Sequence, residues 1–319
     1  MLFQTVLGDV TEKELGFCQP HEHVYIVGTI DQEICPLIRI NNLPASANEL
    51  KLYREAGGNS VVDANPLATG RDALALQDIS RLSGVNIIAT TGYHIPKFYP
   101  DNHWIWSSSK EELSEMFISE LTQGMFLEGY YEKPTYQTDI KAGLIKAMMT
   151  EEGLDNEQTK KCLTAAGYAA KATGASVMIH TEFGKDSLRA IDLLAGKIGI
   201  GTDKILICHV DRQVEDLTIH KQIASTGVFM EYDTITLLEF HDNAAEIKMM
   251  RYMIDNGFLN QLLISTDPET DRMKNYGGRM GVDYILTQFI PMLKLNGFTQ
   301  EEINQITKLN PAHALAISK

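Results

Sequence analysis

The stretch SVMIHTEFGKDSLRAIDLLAGKIGIGTDKILICHVD, residues 176–211, reads as strand, helix, strand. "SVMIHTEF" (176–183) and "KILICHVD" (204–211) are short apolar runs, the pattern of strands covered on both faces. Between them, "KDSLRAIDLLAGKIG" (185–199) has a helical pattern and stops at a glycine. A helix joining two doubly covered strands predicts a parallel pair. Each strand also carries a histidine near its C-terminal end, His180 and His209.

The alternation continues in both directions. Further strand runs are "LGFCQPHEHVYI" (15–26), "NSVVDAN" (59–65), "NIIATTGY" (86–93), "AGLIKAMM" (142–149), "GVFMEYDT" (227–234) and "QLLISTDP" (261–268). Helical patterns lie at 71–84, 156–174, 246–257 and 299–316. Eight such units predict an α/β fold, a (β/α)8 TIM barrel. A doubly wound open sheet is the alternative, weakened because no GxGxxG follows an early strand. No Gly/Ser/Pro-rich linker divides the chain, so residues 1–319 read as a single barrel domain. An extended loop follows the third strand and holds Trp104 and Trp106. It is expected to form either a wall or lid on the catalytic face or an apolar plug or oligomer contact.

With 319 residues, 44% hydrophobic and 22% charged, the chain is long enough and apolar enough for a sizeable soluble core. A net charge of −14 and the lack of any Lys/Arg run argue against nucleic acid and anionic membranes as partners. The opening stretch lacks a basic segment followed by an apolar run, so no secretory signal is expected. Cys18, Cys35, Cys162 and Cys208 are scattered, as in a reduced cytosolic protein. A cytoplasmic location follows as the expectation.

Ionisable residues inside apolar strands carry the functional signal, because burying such a group unpaired is costly. Barrel active sites form at strand C-terminal ends. There the first strand has His21 and His23, in "QPHEHVY" (19–25), on one face if the strand is extended. The fourth has Lys146, the fifth His180, the sixth His209 and the eighth Asp267. Singly, each has an ordinary reading: a core histidine, a snorkelling lysine, a helix N-cap. Together, on five strands and at one end, they form a ligand set for two metal ions. Imidazole and carboxylate suit zinc, manganese, cobalt, nickel or iron. A buried neutral lysine can react with CO2 to give a carbamate, an anionic ligand able to bridge two metals.

These motifs, HEH…K…H…H…D, resemble those of the phosphotriesterase-like family of the amidohydrolase superfamily. "GFCQPHEHVYI", "KAGLIKAMMTEEGL", "IHTEFG", "CHVDR" and "LLISTDPETDR" match its strand contexts over nearly the whole chain, and the tail resembles its final helix. The last third resembles the phosphotriesterase homology branch. The resemblance implies that His21, His23 and Asp267 bind a buried metal and that His180 and His209 bind an exposed one. It also implies that carbamylated Lys146 bridges them and that Asp267 orients a bridging hydroxide and takes its proton. Zinc is the leading metal, and a homodimer is the implied assembly. Some relatives bridge with a glutamate. Here Ala147 and Met148 follow Lys146, and no carboxylate appears before Glu151, which favours the carbamate.

The resemblance implies a hydrolase, and a sugar lactone is the favoured substrate class. Tyr93 matches a position that family lactonases use near the substrate oxygen. "EYDTITLLEFHDN" lacks the basic residue expected for acyl-homoserine lactones. Arg272, Lys274 and Arg279 cluster after the last strand, and Arg272 and Lys274 are the expected contacts to a substrate phosphate. Phosphotriester or phosphoester hydrolysis at the same site, and a non-catalytic metal- or ligand-binding barrel, are the competing readings.

Overall fold

The computed structural model describes residues 1–27, 35–127 and 129–317. A short hairpin comes first, β1 (Leu2–Thr5) and β2 (Gly8–Thr11). Eight strands then follow: β3 (Cys18–Glu22), β4 (Ser60–Asp63), β5 (Asn86–Gly92), β6 (Leu144–Met148), β7 (Val177–His180), β8 (Ile205–Ile207), β9 (Phe229–Tyr232) and β10 (Leu262–Ile264). They pair in sequence order, all parallel, with helices in the connections. This is the barrel the alternation predicts, and every strand falls inside its predicted run. The opening hairpin and the helix Leu43–Glu55 have no counterpart in the sequence reading.

The barrel is nearly closed, and side chains clasp its seam between β3 and β10. Glu22 accepts from the Thr266 backbone N–H at 3.1 Å and the Thr266 hydroxyl at 2.6 Å, while Ser265 Oγ accepts from His21 N–H at 2.8 Å. Burial pushes the Glu22 carboxyl up to about 7. The acid between the two histidines is therefore structural.

Strand parity sorts the core into two clusters. Cys18, Val62, Ile88, Leu144, Met178, Leu206 and Leu263 pack together with Phe3 of the hairpin, filling the barrel's lower interior. Their neighbours Val61, Ile87, Ile145, Val177, Ile205 and Leu262 join the larger cluster shared with the helices. Two residues beyond the interior set, each strand reaches its C-terminal mouth, and there lie Lys146, His180, Cys208, Glu231 and Ser265.

The long connection after β5 serves both expected purposes. Its start, with His94, Ile95, Lys97 and Phe98, lines the mouth. Trp104 and Trp106 pack against the main core instead, and Trp104 Nε1 donates to the Gly129 carbonyl at 2.6 Å. The helix Lys110–Thr122 is tied in by a bidentate buried pair, Arg71 to Glu120 at 2.6 and 2.8 Å.

Gly92 ends β5 at φ +106°, and a Cβ there would lie 1.9 Å from the Lys146 carbonyl oxygen. Gly92→Ala is expected to destabilise the fold by about 3 kcal/mol or more, since strain and a backbone clash add. Urea unfolding measures this, and an unchanged midpoint would refute it.

Candidate metal centre

The six residues singled out in the sequence converge at the mouth. Lys146 Nζ lies 3.0 Å from His21 Nε2. His23 Nε2 lies 3.1 Å from Asp267 Oδ1, and His21 Nε2 3.8 Å from the same oxygen. His180 Nδ1 and His209 Nε2 are 2.8 Å apart. All six line one cleft of about 250 Å³.

Two local distortions bring them in. β3 carries a bulge between Gln19 and Glu22, which shifts the register against β4. A bulge re-aims the side chain that follows it, so His21 faces inward where plain alternation from Cys18 would turn it out. His23 lies beyond the strand, so the single extended strand expected for both histidines is replaced by a bulge and a loop. At the end of β8, parity points Cys208 inward and His209 outward. His209 instead adopts φ +59°, and the turned backbone carries its ring into the cleft. Cys208 stays beneath as a neutral thiol, pushed up to about 12 by burial.

Each histidine is held by one nitrogen and presents the other. His21 Nδ1 donates to Glu231 at 2.8 Å and to Asp233 at 2.9 Å. His23 Nδ1 donates to Asn65 Oδ1 at 2.8 Å, and the Asn65 amide group donates in turn to Asp63. His180 Nε2 donates to Glu182 at 2.9 Å, and His209 Nδ1 to Asp233 at 2.7 Å. These partners assign the tautomers. Every inner nitrogen is then a lone pair. Two of them face each other across 2.8 Å, and a third faces a carboxylate across 3.1 Å. Facing acceptors need a proton or a cation between them, so the donor set fits divalent metal, with three imidazoles backed by carboxylates and His23 by the Asn65 amide oxygen. Burial keeps His180 and His209 neutral: the first falls to about 4 and the second well below its ordinary value. Burial alone would raise Asp267, but its His23, His21 and His209 neighbours hold the carboxyl well below the usual range.

The proposed substrate contacts fare unevenly. Arg272 lines the cleft, but its guanidinium donates to Thr236 Oγ1 at 2.8 Å and to the carbonyls of Thr266 and Asp267 at 2.9 and 2.6 Å. It props the loop that carries Asp267. Lys274 lies outside the lining and pairs with Asp283 at 2.6 Å. Tyr93 is buried away from the lining, and its hydroxyl donates to the Met148 carbonyl at 2.9 Å. Neither residue therefore lines the cleft: Lys274 is held by Asp283, and Tyr93 by the last residue of β6. Besides Lys146 and Arg272, the cations lining the mouth among the described residues are Lys97 and Arg212, and Arg212 Nη2 reaches Asp267 Oδ2 at 3.3 Å.

The sequence reading missed Glu231 and Asp233. The signal was available: in "FMEYD" both acids share Phe229's inward parity at a strand's C-terminal end.

A (β/α)8 barrel with this donor set at its C-terminal mouth is the architecture of a hydrolase whose clustered residues could bind metal. The chain belongs to the phosphotriesterase family, whose model matches residues 1–315. The phospho-furanose lactonase of Mycoplasmopsis synoviae is 29% identical, covering 99% of this chain and 92% of its own. The crystal structure of a lactonase from Listeria monocytogenes matches with a TM-score of 0.90 at 27% identity, over 100% of both chains. That of the Escherichia coli phosphotriesterase homology protein, with phosphate in its active site, gives 0.85 at 26% identity, over 95% of this chain and 99% of that one.

Proposed function

We propose that this chain opens a phosphorylated sugar lactone, using two divalent ions held by His21, His23, Lys146, His180, His209 and Asp267. The observation that carries the reading is the ring of inward lone pairs, each backed by a fixed acceptor. Lys146, as its carbamate, would turn the one cation of the set into a bridging anion. Ions bound there would polarise a carbonyl oxygen and lower the pKa of water. Zinc is the leading candidate for both.

The chain's own residues supply the rest. Asp267 is ionised and takes the proton of the attacking water. The water oxygen adds to the lactone carbonyl, and the ring C–O bond breaks. The departing ring oxygen takes that proton from Asp267 and becomes a hydroxyl, the carboxylate is regenerated, and the product is a hydroxy acid. Arg212 stacks on Phe240, 4.6 Å from the ring centroid. With exposed Lys97 it gives the rim its positive charge in an otherwise acidic chain. Lys97, which makes no ion pair among the described residues, supplies the place for phosphate, whereas Arg212, Arg272 and Lys274 are already engaged with Asp267 and Glu182, with loop carbonyls and with Asp283. The M. synoviae relative's name supports a phosphate on the substrate.

The test is proton release from matched sugar lactones, with and without a terminal phosphate, on protein reloaded with zinc or manganese. A strong preference for the phosphorylated form is expected. Lys97→Ala should raise its KM about tenfold, the value of one charge-assisted contact, and leave the unphosphorylated lactone unchanged. If metal is bound and neither lactone opens, the lactone reading is lost. The phosphate in the E. coli relative's active site favours a second reading, phosphoester hydrolysis at the same donors. Release of inorganic phosphate or an alcohol from phosphoesters would identify it.

A further inference from the structure

Behind the cleft lies a second group of ionisable side chains that the proposed chemistry does not use. Asp211 follows β8 and His241 sits in the loop after β9. Glu246 stands in the first turn of the helix Asn243–Asp255. All three are buried, and their ligating atoms lie within 4.8 Å of one another. None belongs to the six-residue set at the mouth.

His241 Nδ1 faces the Asp242 carbonyl at 3.3 Å and therefore carries a proton. Its Nε2 faces Glu246 Oε2 at 3.2 Å and Asp211 Oδ2 at 3.5 Å. The Thr234 hydroxyl, 3.2 Å from Nε2, gives its hydrogen to Asp211 Oδ2 at 2.6 Å. Among the described residues, nothing donates into the centre of the group. Both Glu246 oxygens and Asp211 Oδ1 are buried without a hydrogen-bond partner among the described residues. Buried polar atoms are normally satisfied, and a buried unpaired carboxylate is costly. The centre calls for positive charge.

We propose that Asp211, His241 and Glu246 hold a further divalent cation, of the zinc or manganese class, as a structural site. Two carboxylates and a neutral imidazole balance a double charge. A proton on Nε2 would leave one negative charge over and two oxygens bare. The 3.2–3.5 Å donor spacing also suits metal–ligand bonds of about 2.0–2.2 Å. One nitrogen with oxygens is a donor set that such ions accept. The ion would pin the loop after β9, which carries Asp233 and the cleft-lining Leu237, Glu239 and Phe240, to the loop after β8.

The experiment separates this site from the catalytic set. A parent variant, His180→Ala with Asp267→Ala, is stripped with chelator, reloaded with zinc or manganese and dialysed, and its metal is counted by mass spectrometry. The Glu246→Gln and His241→Asn derivatives are expected to hold one ion per chain fewer than the parent, with unchanged far-UV circular dichroism. Equal metal in parent and derivatives overturns the proposal and leaves the charge to be balanced by protons on His241 or on Glu246, whose carboxyl burial pushes up. If the derivatives do not fold, the parent is melted alone, with and without added zinc. A rise in Tm that survives a further His21→Ala substitution supports the site, and no rise overturns it.

Discussion

Asp267→Asn is expected to lower kcat by about 10³-fold, for whichever lactone the native protein opens fastest, while the fold persists. The carboxylate stands 3.1 Å from His23 Nε2, 3.3 Å from Arg212 and within 4 Å of His21 and His209. Held ionised at neutral pH, it can accept a proton where water is activated. An amide keeps the shape and the oxygen facing Arg212 but has no basic lone pair of comparable strength. Metal content measured on the same sample separates loss of the base from loss of a ligand. A variant that retains its metal and turns over within tenfold of the native rate would show that the proton goes elsewhere.

The second large effect is expected at a residue that touches no substrate. One Asp233 carboxylate receives His209 Nδ1 at 2.7 Å and His21 Nδ1 at 2.9 Å, and so orients one imidazole from each half of the set. In Asp233→Asn one of these N–H groups meets an amide N–H. Losing such outer support costs about 10–100-fold in metal affinity. Leaving buried partners unpaired costs about 3 kcal/mol of stability. Chelator competition measures the first and urea unfolding the second. If affinity and midpoint both match the native protein, the two histidines are held by other means. Glu231, also on His21 Nδ1, is the alternative anchor.

Much of the candidate site was legible because donors in apolar strands stand out. Lys146, His180 and Asp267 lie at inward parity on β6, β7 and the loop after β10, so pattern and chemistry agree. The backing shell was less legible. Glu182 and Arg212 sit beside ligands in "HTEF" and "HVDR" and read as surface charges until the fold aims them inward. Lys274 misled in the opposite way: a cation near an active-site strand finds Asp283 before it finds the cleft.

By itself the sequence determined the barrel, because eight apolar runs separated by helical patterns have few ways to hide both faces. It also pointed to the side chains that gather at the mouth, since a strand does not bury His, Lys or Asp without a partner. Which atoms meet was decided by tertiary structure alone. His21 points inward because of a bulge, and His209 because of a left-handed residue. Both break the alternation a sequence reader relies on. Such breaks are stable only where neighbouring elements hold them, here the β3–β10 seam and the Asp233 carboxylate, and no local pattern records contacts between residues more than 200 positions apart.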